Sequence, residues 1–126
     1  MRRELADPAV RDIVRILDWS RASFGIVARR RYEALIARGL RAITMATPPT
    51  ASRTAGEAAP GVRLFHLRHV RQDPGGTSIG HPRHLLAYRI VTPDLIVVLR
   101  VLHDAMDLPA RLGEDDQRAN TASTNP

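Results

Sequence analysis

Four residues in the second half of the chain, His66, Arg68, Arg89 and Arg100, combine reactive side chains with strand-like surroundings. A guanidinium presents a planar fork of donors that matches phosphate or carboxylate oxygens. A neutral imidazole can move a proton near pH 7. Pairing between the last two apolar runs decides where these side chains point. If the hairpin turns at Pro93-Asp94, Thr92 pairs with Leu95, Tyr88 faces Leu99 and Leu86 faces Val101. One face then reads Leu86, Tyr88, Ile90, Val97, Leu99 and Val101, suited to packing under helices. Arg89 and Arg100 fall on the other. A slip of one residue would bury an unpaired charge, which is costly. By the same alternation Phe65 and Leu67 point inward, while His66 and Arg68 point outward. The expectation is an open sheet face with His66, Arg68, Arg89 and Arg100 in one neighbourhood. Such a face suits an anion, an acidic partner or plain solvation. Glu4, Glu33, Glu57 and Glu114 all lie outside the strand regions, which argues against general-base cleavage of RNA.

Other chemistry-bearing residues point less far. His84 and His103 fall opposite one another at the end of that hairpin, with Asp104 and Asp107 close in sequence. Two imidazoles can begin a metal site, but no third ligand stands at a recognised spacing. A stacked or hydrogen-bonded strand-end pair is the better reading, and no metal or cofactor is expected. Gly75-Gly76 with Thr77-Ser78 has the composition of a phosphate loop, yet it lacks a lysine and a succeeding helix, so it reads as a hairpin loop. Trp19 lies off the main apolar stripe of its helix. It fits either a groove-filling role or an exposed anchor for a partner.

The elements that would position these groups are legible in order. Asp7-Pro8 is a helix start, with Asp7 as cap and Pro8 in the first turn. Val10, Ile13, Val14, Leu17, Ser20 and Phe24 then recur at helical spacing, and Gly25 is a natural stop. A second helix comes next, with Ala28, Tyr32, Leu35, Ile36, Gly39, Leu40 and Ile43 on one face and most of its arginines on the other. One or two residues between them make a tight helical hairpin. Residues 44–61 have no period and read as a long mobile connection. Residues 62–71, 83–92 and 95–103 have strand chemistry, and 1–6 hold an edge strand at most. The fold class is α+β, an N-terminal helical hairpin packed on a small antiparallel sheet. One domain over 1–112 is succeeded by a polar tail, 113–126, whose composition predicts disorder.

Charge and composition narrow the function. The 126 residues hold 19 basic and 13 acidic groups, and all the basic ones are arginine. A lysine Schiff base and a P-loop lysine are therefore excluded. Without cysteine there is no disulfide framework and no thiol nucleophile. Residues 1–112 hold eighteen arginines against ten acids, a net +8, so this body suits a polyanionic or acidic partner. No apolar run approaches the length of a membrane span and no signal-peptide pattern starts at Met1, so a cytoplasmic location is expected.

The same residues resemble a known family. Helix-helix-strand-strand-strand over Leu5–Leu112 resembles the ParE/RelE toxin superfamily of type II toxin–antitoxin systems, and its ParE-like branch in particular. DPAVRDIVRILDWS is similar to that branch's opening helix, through Asp12, Ile13 and Ile16, with Trp19 in place of the usual tyrosine. GVRLFHLRHVR with PRHLLAYRI is similar to its strands through Gly61, Arg63, His84, Leu85, Leu86, Tyr88 and Arg89. LRVLHDAMDLPARL resembles its terminal motif through Arg100, Val101, Leu102, His103 and Asp107, with Met106 where that motif usually has arginine.

The resemblance implies a growth-inhibiting toxin neutralised by a cognate antitoxin, usually encoded next door. Two targets compete. ParE-like members are associated with poisoning DNA gyrase, a binding act rather than an enzymatic one. RelE-like members cleave mRNA on the ribosome, and here Arg68, Arg89, Arg100 and His103 would be the catalytic candidates. The RVLH sequence and the lack of lysine favour gyrase; an inactive relic that only binds antitoxin is a further alternative. The partner- or target-binding residues implied are Arg63, His66, Arg68, Arg89, Arg100, His103, Asp104 and Asp107. Outside the family, a small basic nucleic-acid-binding module would bind bare duplex in a strongly salt-dependent way.

Overall fold

The computed structural model describes residues 2–45, 51–57, 59–72 and 79–105. Asp107, Met106, the Gly75–Ser78 loop and the tail 113–126 lie outside the described residues. Strand β1 (Arg2–Leu5) leads into helices α1 (Asp7–Phe24) and α2 (Ile26–Met45), then β2 (Arg53–Thr54), β3 (Val62–His66), a 3-10 turn (Leu67–Val70), β4 (His84–Thr92) and β5 (Leu95–His103). The five strands form one mixed sheet in the order β1-β5-β4-β3-β2. Only β1 and β5 run parallel, with Arg2 beside Leu95 and Leu5 beside Val98. The short β2, inside a stretch expected to be an unstructured connection, pairs with β3.

The helical hairpin forms for the reasons its sequence suggests, with two corrections. Gly25 takes φ +93° and reverses the chain between α1 and α2. The N-cap of α1 is Ala6, with no side-chain cap; Asp7 instead sits in the first turn, where the helix dipole favours its charge. The buried stripe of α1 is also rotated from the expected one. Ala9, Asp12, Leu17 and Ser20 are buried, whereas Val10 and Val14 are exposed. The apolar residues of α1 cover a broad arc, and the acceptor Asp12 turns inward because the sheet offers it a partner.

The sheet is packed on both faces. On the helix side, Leu35, Ile36, Leu40 and Ile43 of α2 meet Phe65, Leu67, Leu86, Tyr88, Ile96, Val98 and Val101. Gly39 lies at the closest approach, where a Cβ would run into the Leu67 side chain. On the opposite face Ala59, Val62, Leu64, Leu85, Ala87 and Leu102 form a second cluster, with Leu99 packed against it. The expected pairs Thr92–Leu95, Leu86–Val101 and His84–His103 are all present. Between them the register shifts: Ala87 pairs with Arg100 but Tyr88 with Val98, so Leu99 is bulged out of the ladder. Ile96 and Val98, not Val97 and Leu99, therefore lie in the helix-side core. Strand β3 ends earlier than expected because the Nδ1 of His66 accepts the Arg68 N–H at 3.0 Å and starts the 3-10 turn.

Candidate functional site

Arg100, paired with Ala87 beside the bulge, reaches helix α1, where its Nε donates to Asp12 Oδ2 at 2.7 Å and its Nη2 to Oδ1 at 3.0 Å. The N–H of Val101 donates to the same Oδ2 at 2.9 Å, and the exposed Arg15 adds a bond at 2.9 Å. Asp12 is 5% exposed and Arg100 11%, so this is a buried two-pronged pair joining α1 to β5. A carboxylate in that position is tolerable only because donors surround it.

Next to the pair, a row of rings crosses from α2 to the strand end. The Tyr32 hydroxyl meets His84 Nδ1 at 2.5 Å, with the rings edge-to-face. His84 in turn packs edge-to-face on His103, ring centroids 5.3 Å apart. Burial, and then the neighbouring His103, push His84 down to about 4, so its ring is neutral at pH 7 and Nδ1 accepts from the phenol. Burial holds the Tyr32 phenol up to about 12. His103 Nδ1 accepts the Ala105 N–H at 3.1 Å. The strand-end pair expected from the sequence is thus a ring stack continued by Tyr32. Among the described residues no group of three or more ligating side chains could hold a metal ion.

A third set ties the 3-10 turn to the end of β5. Because His66 Nδ1 is already an acceptor, its Nε2 carries the proton and donates to Asp104 Oδ2 at 3.0 Å. Arg83 donates to the other oxygen at 3.1 Å. Desolvation opposes the Asp104 charge, but the His66 bond and the Arg83 guanidinium outweigh it and hold the carboxyl below its usual range.

Asp12, Arg100, Tyr32, His84, His103 and Arg83 line one cleft of about 1040 Å³ between the hairpin tip and the start of β4. Its apolar side carries Trp19, Phe24 and Val27, which are 60%, 68% and 57% exposed. Trp19 and Phe24 pack edge-to-face at 5.5 Å. Of the two roles open for Trp19, the exposed one is observed. Its polar side carries Arg15, Arg31, Arg83, His81, His84 and His103, and the single acid of the lining is the already bonded Asp12.

The open arginine face expected from alternation does not form. Arg100 is held by Asp12 of α1. Arg89 pairs with Val62 at one end of β3 and its guanidinium lies against Gly61, whereas His66 sits at the other end, opposite Leu85. Arg68 is exposed on the 3-10 turn, and Arg63 donates from Nε to Ser52 at 2.9 Å. The structure instead brings together Arg100, His103, His84 and Asp104, of which Arg100, His103 and Asp104 are site residues on sequence grounds. Tyr32, Arg31 and Arg83 are not. Tyr32 reads there as part of the core-facing row of α2, and Arg31 and Arg83 as solvated charges.

The family of ParE toxins of type II toxin–antitoxin systems, parDE, matches residues 4–108 through its family model. The chain belongs to the ParE toxin family. The match spans both helices and all five strands except the first residues of β1, so the cleft and the Asp12–Arg100 pair both lie within the ParE region. A search of the curated proteins finds no match. Among the described residues of this ParE-family toxin, no helix is long and apolar enough to cross a membrane.

The ring stack gives the ParE fold a pH dependence. A histidine held below its ordinary 6.5 takes up a proton more readily in the unfolded chain than in the folded one. Its contribution is therefore fully present above pH 6.5 and is lost as pH falls through about 4. Allowing for the solvent that reaches the ring, the loss over that window is about 1–2 kcal/mol. Asp104 acts in the same direction but only below its ordinary 3.8. His69 shifts the same way as His84 but is exposed, so its effect is screened. Urea unfolding of His84→Gln should consequently show a flatter stability profile between pH 6.5 and 4 than wild type. Parallel profiles would remove His84 as the source.

Proposed function

We propose that this toxin arrests growth by binding and poisoning DNA gyrase, and that a cognate antitoxin neutralises it by laying an acidic, partly apolar segment into the cleft. The first half of this reading rests on the resemblance to ParE-like members, which are associated with gyrase, and membership of the ParE toxin family supports it. The dispersal of Arg68, Arg89 and Arg100 supports it further. A ribosome-dependent nuclease would use those three together with His103, and two of them are held by contacts elsewhere. The cleft supports the second half: an exposed aromatic pair flanked by Arg15, Arg31 and Arg83 suits apolar anchors accompanied by carboxylates. His103 in the cleft wall, and Arg63, His66, Asp104 and Asp107, remain the proposed binding residues, and no step of this action requires a cofactor.

One observation favours the second reading. His84 and His103 stand beside Arg83 in the cleft, imidazoles that can move a proton next to a phosphate. Expression of the chain alone in a bacterial host separates the two. Arrest with a DNA-damage response while translation continues is the expected result. An immediate fall in translation would replace gyrase with mRNA as the target. Unchanged growth would mean a decayed toxin.

A further inference from the structure

The cleft sets a group of hydrogen-bond donors beside an open aromatic pair. Among the described residues its lining carries Arg15, Arg31, Arg83 and Arg100 against a single acid, Asp12. The oxygens of Asp12 are already taken by Arg100, Arg15 and the Val101 N–H. Two of the arginines are held in place from one side. Arg83 directs its Nε and Nη2 at Asp104, at 3.1 and 3.0 Å, and Arg15 directs its Nη2 at Asp12 at 2.9 Å. Arg31, exposed on α2, makes no hydrogen bond or ion pair among the described residues. The imidazoles add donors. His84 Nδ1 accepts from the Tyr32 hydroxyl and His103 Nδ1 accepts the Ala105 N–H, which leaves the proton of each ring on Nε2. On the apolar side Trp19 and Phe24 stand 60% and 68% exposed.

We propose that this cleft binds a free nucleoside phosphate, as a ligand in which no bond is broken. The base lies against the Trp19–Phe24 pair, and the phosphate oxygens accept from Arg15, Arg31 and Arg83. Guanidinium groups gathered around one cleft without a free counter-ion repel one another and draw anions in. A phosphate chain answers them best, because it offers several charged oxygens to separate planar forks. The aromatic pair asks for something more than an anion. A base supplies a flat π-face, and stacking on exposed rings tolerates any base. The size agrees: about 1040 Å³ stands at the upper end of the range for small-molecule sites, roughly 300–1,000 Å³. The site rests neither on gyrase as the target nor on an antitoxin in the same cleft.

Isothermal titration calorimetry of the full chain at low salt tests this, with ATP, GTP, adenosine and inorganic tripolyphosphate as probes. ATP and GTP should both bind, each at least about tenfold more tightly than adenosine or tripolyphosphate, since each of those lacks one half of the match. Arg31→Ala and Trp19→Ala should each weaken ATP binding by roughly tenfold or more. Both side chains are exposed, so a thermal melt should show the variants folded as wild type. Arg31→Ala serves alone where the tryptophan variant melts early. Four outcomes would overturn the proposal. One is no binding of ATP or GTP up to about 1 mM. A second is tripolyphosphate binding as tightly as ATP, which would mean an anion patch that makes no use of the rings. A third is unchanged ATP affinity in Arg31→Ala, which would place the ligand elsewhere. The last is a single-stranded oligonucleotide that binds far more tightly than ATP and displaces it, which would make nucleic acid the occupant. None of these readouts depends on toxicity, so failure here leaves the gyrase reading standing.

Discussion

Replacing Asp12 with alanine should destabilise the protein by about 3–5 kcal/mol, the usual consequence of removing one partner of a buried ion pair. The reason lies in what remains. Arg100, only 11% exposed, would keep its charge and lose both oxygens it now contacts, and the Val101 N–H would lose its acceptor. At several degrees per kcal/mol in a domain of this size, the melting temperature should fall by on the order of 15 °C. Two companions separate the contributions. Asp12→Asn keeps an oxygen for Val101 and should cost less than alanine. Asp12→Leu combined with Arg100→Met removes both charges and should recover most of the loss, leaving the unsatisfied Val101 N–H at about 1–3 kcal/mol. A thermal melt showing Asp12→Ala within about 1 kcal/mol of wild type would mean that the pair does not join α1 to β5 as described.

That pair also shows where the sequence stops being informative. The last strand, LIVVLRVL, is apolar except for Arg100, so either alternation fills a core equally well. Only the arginine fixes the phase, and solvation is the default for an arginine without a known counter-ion. Its counter-ion lies 88 residues earlier in the chain, on a different element. Helix α1 is ambiguous for the same reason: Val10, Ile13, Val14, Ile16 and Leu17 cover too wide an arc to define one buried stripe, and hydrophobicity alone pushes Asp12 outward. Resemblance to a family does mark Asp12, but periodicity does not. By contrast Gly25, the Thr92–Leu95 turn and the buried row of α2 are legible, because local backbone chemistry or a narrow apolar stripe determines each. The site divides in the same manner. His103, Asp104 and Arg100 stand out by residue type, but their company with Tyr32 and Arg83 depends on tertiary contacts that leave no local mark.

The bulge itself can be tested by comparing two leucines that simple alternation puts on the same face. Leu86 is fully buried in the helix-side core, close to Gly39 and next in line to Phe65, with which it pairs across β3 and β4. Truncation to alanine should cost about 3–5 kcal/mol, because α2 is held away by Leu67 and cannot collapse into the space. Leu99 is bulged out of the ladder and packs, half-buried, against the opposite cluster of Ala59, Val62 and Leu64. With much of its side chain already in water, Leu99→Ala should cost only about 1–2 kcal/mol. Denaturant unfolding of the two variants therefore reads the register. A clear gap, with Leu86→Ala the weaker protein, is the expected result. Equal losses would place Leu99 under the helices and restore strict alternation.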